Sequence, residues 1–220
     1  MIKNIIYELV LLAGCLNGGF NFKKLSPPFR FLLYLLILTF ITETFAYYAA
    51  IRWRNNLLIY NLYTPLHFII VSSAYYRLIN LPFFKRGIRW LCVLFVLYSA
   101  FVIYVNFRHN EFPFVLIIAD SIIIVIYSVT LFYQMVRNPV KKSLLADAVF
   151  WFNASMLIFF TSSFMFWISY RYLAVHHQSL IQIFYTFLSI LNILNYSLLG
   201  LSLYLEARQN NTLASTINVN

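Results

Sequence analysis

FVLIIADSIIIVIYSVTLFYQMV, residues 114–136, holds 23 residues with one charged side chain, Asp120, toward its start. As an α-helix rising about 1.5 Å per residue it is long enough to cross the roughly 30 Å hydrocarbon core of a bilayer. A helix apolar on every face cannot sit at the surface of a water-soluble protein. The rest of the chain has the same character. Of its 220 residues, 62% are hydrophobic and 10% charged, against roughly 45–50% and about 25% in soluble domains. A soluble fold of this length has no interior large enough for so much apolar surface, so the outer solvent is lipid.

Working outward, six further runs have the required length and apolarity: Ile2 to Gly19, Phe31 to Ile51, Leu57 to Leu78, Ile88 to Phe107, Leu144 to Ser169 and Leu180 to Leu205. The expectation is an all-α polytopic bundle of seven transmembrane helices, residues 1–206, followed by a short polar tail, 207–220. Pro27, Pro28, Pro82, Pro113 and Pro139 fall between the runs and read as breakers, whereas Pro65 lies inside the third. Loops this short leave no room for a kinase, cyclase or nucleotide-binding domain, so any cytoplasmic output needs a partner. The 23 Phe and 17 Tyr suit aromatic belts at both interfaces.

Charge sets the orientation. Lys23, Lys24, Arg30, Arg77, Lys85, Arg86, Arg89, Arg137, Lys141, Lys142 and Arg208 fall on one set of alternate loops, eleven in all, and Lys3, Arg52, Arg54, Arg108 and Arg171 on the other. Positive charge stays cytoplasmic, which puts the N-terminus outside and the C-terminus inside. Trp53 and Trp167 then mark the outer interface and Trp90 the inner one. The net charge of +10 is topological, and no nucleic-acid motif accompanies it. Leu12-Ala13-Gly14-Cys15 has the form of a lipobox. Cleavage there is not expected, because it would turn every basic loop outward and because Glu8 interrupts the apolar stretch. Cys15 and Cys92 both lie in apolar runs and read as packing residues without a disulfide. The Gly14-x-x-x-Gly18 spacing permits close helix approach and is compatible with an oligomer.

Ionisable and amide groups at membrane depth are the candidates for function. Thr39, Glu43 and Tyr47 share a face of the second helix, and Tyr60, Tyr63 and His67 share one on the third, with Asn61 beside them. Asp120 lies in the outer half of the fifth helix, with Tyr127 and Ser128 on a similar face. Tyr185, Ser189, Asn192 and Tyr196 form a stripe on the seventh, with Asn195 adjacent. Glu8 lies nearer the outer surface, and Asn153 adds an amide to the sixth helix. Glu43, Asn61, His67 and Asp120, with Asn192 and Asn195 behind them, make a candidate small-molecule site open to the outside. The alternative is interhelical glue, for instance a Glu43–His67 pair locking the second and third helices. Pro65 would kink the third helix near Asn61.

Catalysis is poorly supported. His109, His176 and His177 fall in outer loops, so no zinc site converges. A Ser-His-Asp set from Ser72 or Ser121, His67 and Asp120 lacks a nucleophile elbow. Asp147 opens the sixth helix and serves its dipole. Neither a cofactor nor an enzyme is expected.

Seven helices with an external N-terminus resemble the microbial rhodopsins, but Leu180–Leu205 holds no lysine for a retinal Schiff base. Seven-helix sugar transporters carry paired intramembrane prolines, and Pro65 stands alone. Tyr60-Asn61-Leu62-Tyr63-Thr64-Pro65-Leu66-His67-Phe68 resembles the third-helix pattern of small seven-helix proteins of Bacteroidota-type bacteria. Phe150-Trp151-Phe152-Asn153-Ala154-Ser155 resembles the opening of their sixth helix. That family resembles membrane partners of sensor kinases, which implies a bacterial inner-membrane sensor or signalling subunit with a cytoplasmic partner. It favours an acidic residue where this chain has His67, so no role carries over to that position. A small-solute or proton-coupled transporter is the second expectation and an intramembrane enzyme the third.

Overall fold

The computed structural model describes residues 2–109, 112, 114–138, 143–176 and 178–217. Lys141, Lys142, His177, Pro113 and Pro139 lie outside them. Among the described residues there are seven α-helices and no strand: α1 (Ile2–Phe20), α2 (Pro27–Trp53), α3 (Leu57–Leu78), α4 (Pro82–His109), α5 (Phe114–Arg137), α6 (Ala148–His176) and α7 (Gln178–Ile217). Short 3-10 turns at Phe22–Lys24 and Leu144–Ala146 lead into α2 and α6. Six of the helices, α2 to α7, are long and apolar enough to cross a membrane, and α1 is apolar over the shorter stretch Ile6–Phe20. The chain is a multi-pass helical membrane protein.

Three of the prolines that read as breakers in the sequence stand inside helix starts. Pro27 and Pro28 occupy the first turn of α2, and Pro82 is the first residue of α4. Proline lacks only an N–H that has no partner at that position, and its fixed φ suits helix entry. Asp147 accepts the backbone N–H of Val149 at 3.1 Å and so caps α6, as its position suggests. Helix α3 continues through Pro65.

The C-terminal segment also departs from the expected tail. Helix α7 runs on past Leu205 to Ile217. Polar side chains hold this extension in place. Glu206 is buried and accepts from the Ser26 N–H at 3.4 Å, Asn210 Nδ2 donates to the Lys24 carbonyl at 2.6 Å, and Gln209 Nε2 donates to the Ala146 carbonyl.

In space, α1 packs on α7 and α2, α7 on α6, α6 on α5, α5 on α3 and α3 on α2. These contacts close six helices into a ring. The remaining helix, α4, packs chiefly on α3 from outside, and a smaller share of it is buried than of any other span. Its exposed Val93, Leu97 and Phe101 suit lipid. Glycine allows the closest approach in the ring. A Cβ on Gly18 would meet Leu33 Cδ1 at 2.6 Å and Leu203 Cδ1 at 3.0 Å, and one on Gly14 would meet Leu36 Cδ1 at 3.2 Å. The Gly14-x-x-x-Gly18 spacing is therefore used inside the chain, where α1 meets α2 and α7.

The helices alternate in direction, so Lys23, Lys24, Arg30, Arg77, Lys85, Arg86 and Arg89 gather at one end, the basic end. The α2–α3 and α6–α7 junctions lie at the other. Near the basic end a buried polar knot ties three helices together. Tyr75 on α3 donates to Asn153 Oδ1 on α6 at 3.0 Å and accepts from Ser128 Oγ on α5 at 2.7 Å, while Asn153 Nδ2 donates to the Ser128 carbonyl at 2.9 Å. Gln134 on α5 caps α3, donating to the Leu78 carbonyl at 3.1 Å and accepting the Asn80 N–H at 2.6 Å.

Candidate functional site

The ring encloses a cavity of about 610 Å³, within the roughly 300–1,000 Å³ usual for small-molecule sites. All six ring helices line it. Tyr7 and Glu8 come from α1, Thr39 and Glu43 from α2, Tyr60 and His67 from α3, Asp120 from α5, Phe160 and Ser163 from α6, and Asn192 and Asn195 from α7. Among the described residues, none of the peripheral α4 contributes. His67 lies ten residues beyond Leu57, about 15 Å along α3, so the cavity reaches roughly the middle of a 30 Å core. At the end away from the basic residues its wall includes Tyr47, Ala50, Asn56 and Tyr185, and of these Tyr47 and Tyr185 are well exposed.

The faces read from the sequence converge here. Thr39, Glu43 and Tyr47 line one wall, Tyr60, Tyr63 and His67 the next, and Tyr185, Ser189, Asn192, Asn195 and Tyr196 a third. The pairings differ from the expected Glu43–His67 contact. His67 Nδ1 is 3.2 Å from Asp120 Oδ2, and both residues are buried. Glu43 Oε2 instead accepts from Tyr60 OH at 3.2 Å. The α3–α5 contact explains this: Asp120 sits across from His67, whereas Glu43 lies further toward the cavity mouth, level with Tyr60. Asp120 Oδ1 is buried and has no hydrogen-bond partner among the described residues.

Asn61 is buried but is not part of the cavity wall, and its Oδ1 has no partner among the described residues. It stands on α3 next to Tyr60, and one residue turns a helical side chain by about 100°. Tyr127 and Ser128 likewise fall outside the wall, with Ser128 engaged in the Tyr75–Asn153 knot. Asn195 lines the cavity while its Oδ1 accepts from Ser155 Oγ at 2.6 Å, joining α6 to α7. Asn192 makes no hydrogen bond to another described residue and presents its amide to the cavity.

Aromatic residues shape the mouth, and the sequence reading missed part of this. Phe112, in the α4–α5 connection, stacks on Trp167 with centroids 5.0 Å apart and lies 6.5 Å from the Tyr60 ring. Trp167 is thus a wall of the cavity as well as a residue near the interface. Deeper in, Tyr63 OH donates to Thr39 Oγ1 at 2.9 Å, and the His67 ring sits 5.5 Å from both the Tyr63 and the Phe160 rings. Tyr7 and Tyr196 meet edge to face at 5.4 Å across the α1–α7 seam. Nothing in the apolar run of α1 singles out Tyr7. Its neighbour Glu8, an acid in a membrane helix, was the available signal.

Ser121 Oγ donates to the Ile117 carbonyl at 2.8 Å, and among the described residues no serine hydroxyl bonds to His67. Among them too, no group of three His, Cys, Asp or Glu side chains is placed to hold a metal ion. Cys15 and Cys92 are free and half-buried.

The fold and cavity define the class: a multi-pass α-helical membrane protein with a polar, aromatic-walled cavity among its helices. Comparison with protein-family models, curated proteins and solved structures yields no match.

Proposed function

We propose that this chain is a seven-span receptor subunit of a bacterial cytoplasmic membrane, binding a small molecule in the ring cavity. The N-terminus faces outside and the C-terminus the cytoplasm. One observation carries the reading. The cavity collects Glu43, the His67–Asp120 pair and Asn192 from four helices and reaches toward the end opposite the basic residues. Basic loops mark the cytoplasmic side, so the cavity faces outward. Helix α1 counts as a span in this reading because it is part of the ring and lines the cavity with Tyr7 and Glu8.

A ligand touching all six ring helices at once can favour one packing over another, provided its affinity differs between the two. The change would reach the basic end through α3, α5 and α6, which the Tyr75–Ser128–Asn153 knot couples. The α7 extension, tied to Lys24 and Ala146, offers a surface there for a cytoplasmic partner. The resemblance to partners of sensor kinases points to the same kind of partner.

The second reading is a proton-coupled carrier, favoured by the intramembrane His67–Asp120 pair. Purification from native membranes through a C-terminal tag separates the two. A stoichiometric cytoplasmic regulatory protein is the expected result. Protein without a partner that accumulates solute in proteoliposomes, with uptake collapsed by a protonophore, would make it a carrier.

A further inference from the structure

The cavity's charge is one-sided. Of the chain's six carboxylates, Glu8, Glu43 and Asp120 line it, while among the described residues none of the sixteen Lys and Arg does. Among the described residues, the imidazole of His67 is the one basic group in the wall, and it is already held by Asp120 Oδ2 at 3.2 Å. Glu43 Oε2 accepts from the Tyr60 phenol at 3.2 Å, and its other hydrogen-bonding neighbour is the Tyr7 phenol, so both partners are neutral. Asp120 Oδ1, in a residue 4% exposed, has no partner among the described residues. A carboxylate at membrane depth without a counter-charge is costly, and no wall residue supplies one to Glu43.

The rest of the wall is rich in π faces. Tyr7, Tyr60, Tyr63, Phe160, Trp167 and Tyr196 come from four different helices. Such faces attract cations and hold quaternary ammonium groups when several surround one site. An anion would meet three carboxylates and, among the described residues, no guanidinium. A neutral sugar would leave the carboxylates uncompensated. An inorganic divalent ion lacks a set of three ligating side chains among the described residues.

We infer that the cavity binds a small organic cation, an amine or quaternary ammonium, with Glu43 as its counter-charge and the aromatic walls as its cage. The Glu43 carboxylate and the Asn192 amide oxygen would accept from the N–H groups of a primary amine. This inference rests on the reading of the cavity as a ligand site, which it narrows to one chemical class.

The test is calorimetric titration of the purified full chain in lipid nanodiscs. The probes are choline, tetramethylammonium and phenethylamine, the neutral choline isostere 3,3-dimethyl-1-butanol, and glutarate as an anion. Glu43→Gln removes the counter-charge, Trp167→Leu removes a wall, and Ser189→Trp fills the cavity. Each variant is checked for monodispersity and melting temperature. Should Glu43→Gln fail to fold, Trp167→Leu carries the comparison. The expected result is saturable binding of at least one cation, tenfold or more tighter than the isostere. That binding should weaken tenfold or more in Glu43→Gln, weaken in Trp167→Leu and vanish in Ser189→Trp. Equal binding of cation and isostere, or binding of glutarate alone, overturns the cation assignment. If Ser189→Trp abolishes such binding, the cavity survives as a ligand site. Cation binding untouched by Ser189→Trp places the site elsewhere and overturns the inference. Absence of binding by every probe at millimolar concentration overturns the inference and removes its support from the receptor reading.

Discussion

His67 and Asp120 face each other with both side chains buried, and among the described residues neither has another hydrogen-bond partner to replace the lost one. His67→Gln and Asp120→Asn should each lower stability by about 1–3 kcal/mol. Their double variant should lose less than the sum, by a coupling of roughly 0.5–3 kcal/mol in a double-mutant cycle of thermal melts. Additive losses would mean that the 3.2 Å contact contributes nothing. Tyr75→Phe leaves Asn153 Oδ1 without its donor and should cost about 1–2 kcal/mol by the same measurement. Glu43→Gln should leave accumulation in membranes intact and abolish ligand response, since Glu43 lines the open part of the cavity and its hydrogen-bond partners are the neutral phenols of Tyr60 and Tyr7. Five of the six residues singled out from the sequence line the cavity because an ionisable or amide group at membrane depth needs a polar surrounding, and the ring interior provides it. Asn61 is the exception: it is buried away from the cavity, and its Oδ1 has no partner among the described residues. The pairings were not legible, since a helical face does not say which residue stands opposite.

At the scale of elements, apolar length alone locates the spans, and the positions of Pro27 and Pro82 show where that reading stops. Proline in the first turn and proline in a loop look alike in sequence. The extension of α7 past Leu205 was hidden for another reason. Its polar composition resembles a tail, and it is held by long-range bonds from Asn210 to Lys24 and from Glu206 to Ser26. Glycine separates the helices that pack tightly from those that do not. Gly18→Leu should push α1 off Leu33 and Leu203 and cost about 1–3 kcal/mol. Gly87→Ala, where an added Cβ meets nothing within 4 Å, should leave the melting temperature unchanged or slightly raised. Melts of the two variants in the same detergent make the comparison, and equal losses would contradict the packing described for α1.

For the whole molecule, the order of helices in sequence does not reveal the ring. Helix α4 follows α3 in the chain yet lies outside, and α1 closes against α7. The cavity is a property of that closure, so composition and periodicity could suggest polar faces but not their meeting point. Charge asymmetry is legible, and it predicts the sidedness of the cavity. In a variant with Cys15 and Cys92 replaced by alanine, a cysteine at Asn55 should react with an impermeant maleimide from outside, and one at Lys24 only from the cytoplasmic face.

The most direct measurement places a single cysteine at Asn192, deep in the cavity wall. Its reaction with the impermeant trimethylammonium-ethyl methanethiosulfonate is then followed in right-side-out and inside-out membrane vesicles. An aqueous cavity open to the outside predicts modification in right-side-out vesicles and none in sealed inside-out ones. Modification only in inside-out vesicles, or in neither, would contradict an outward-facing binding cavity.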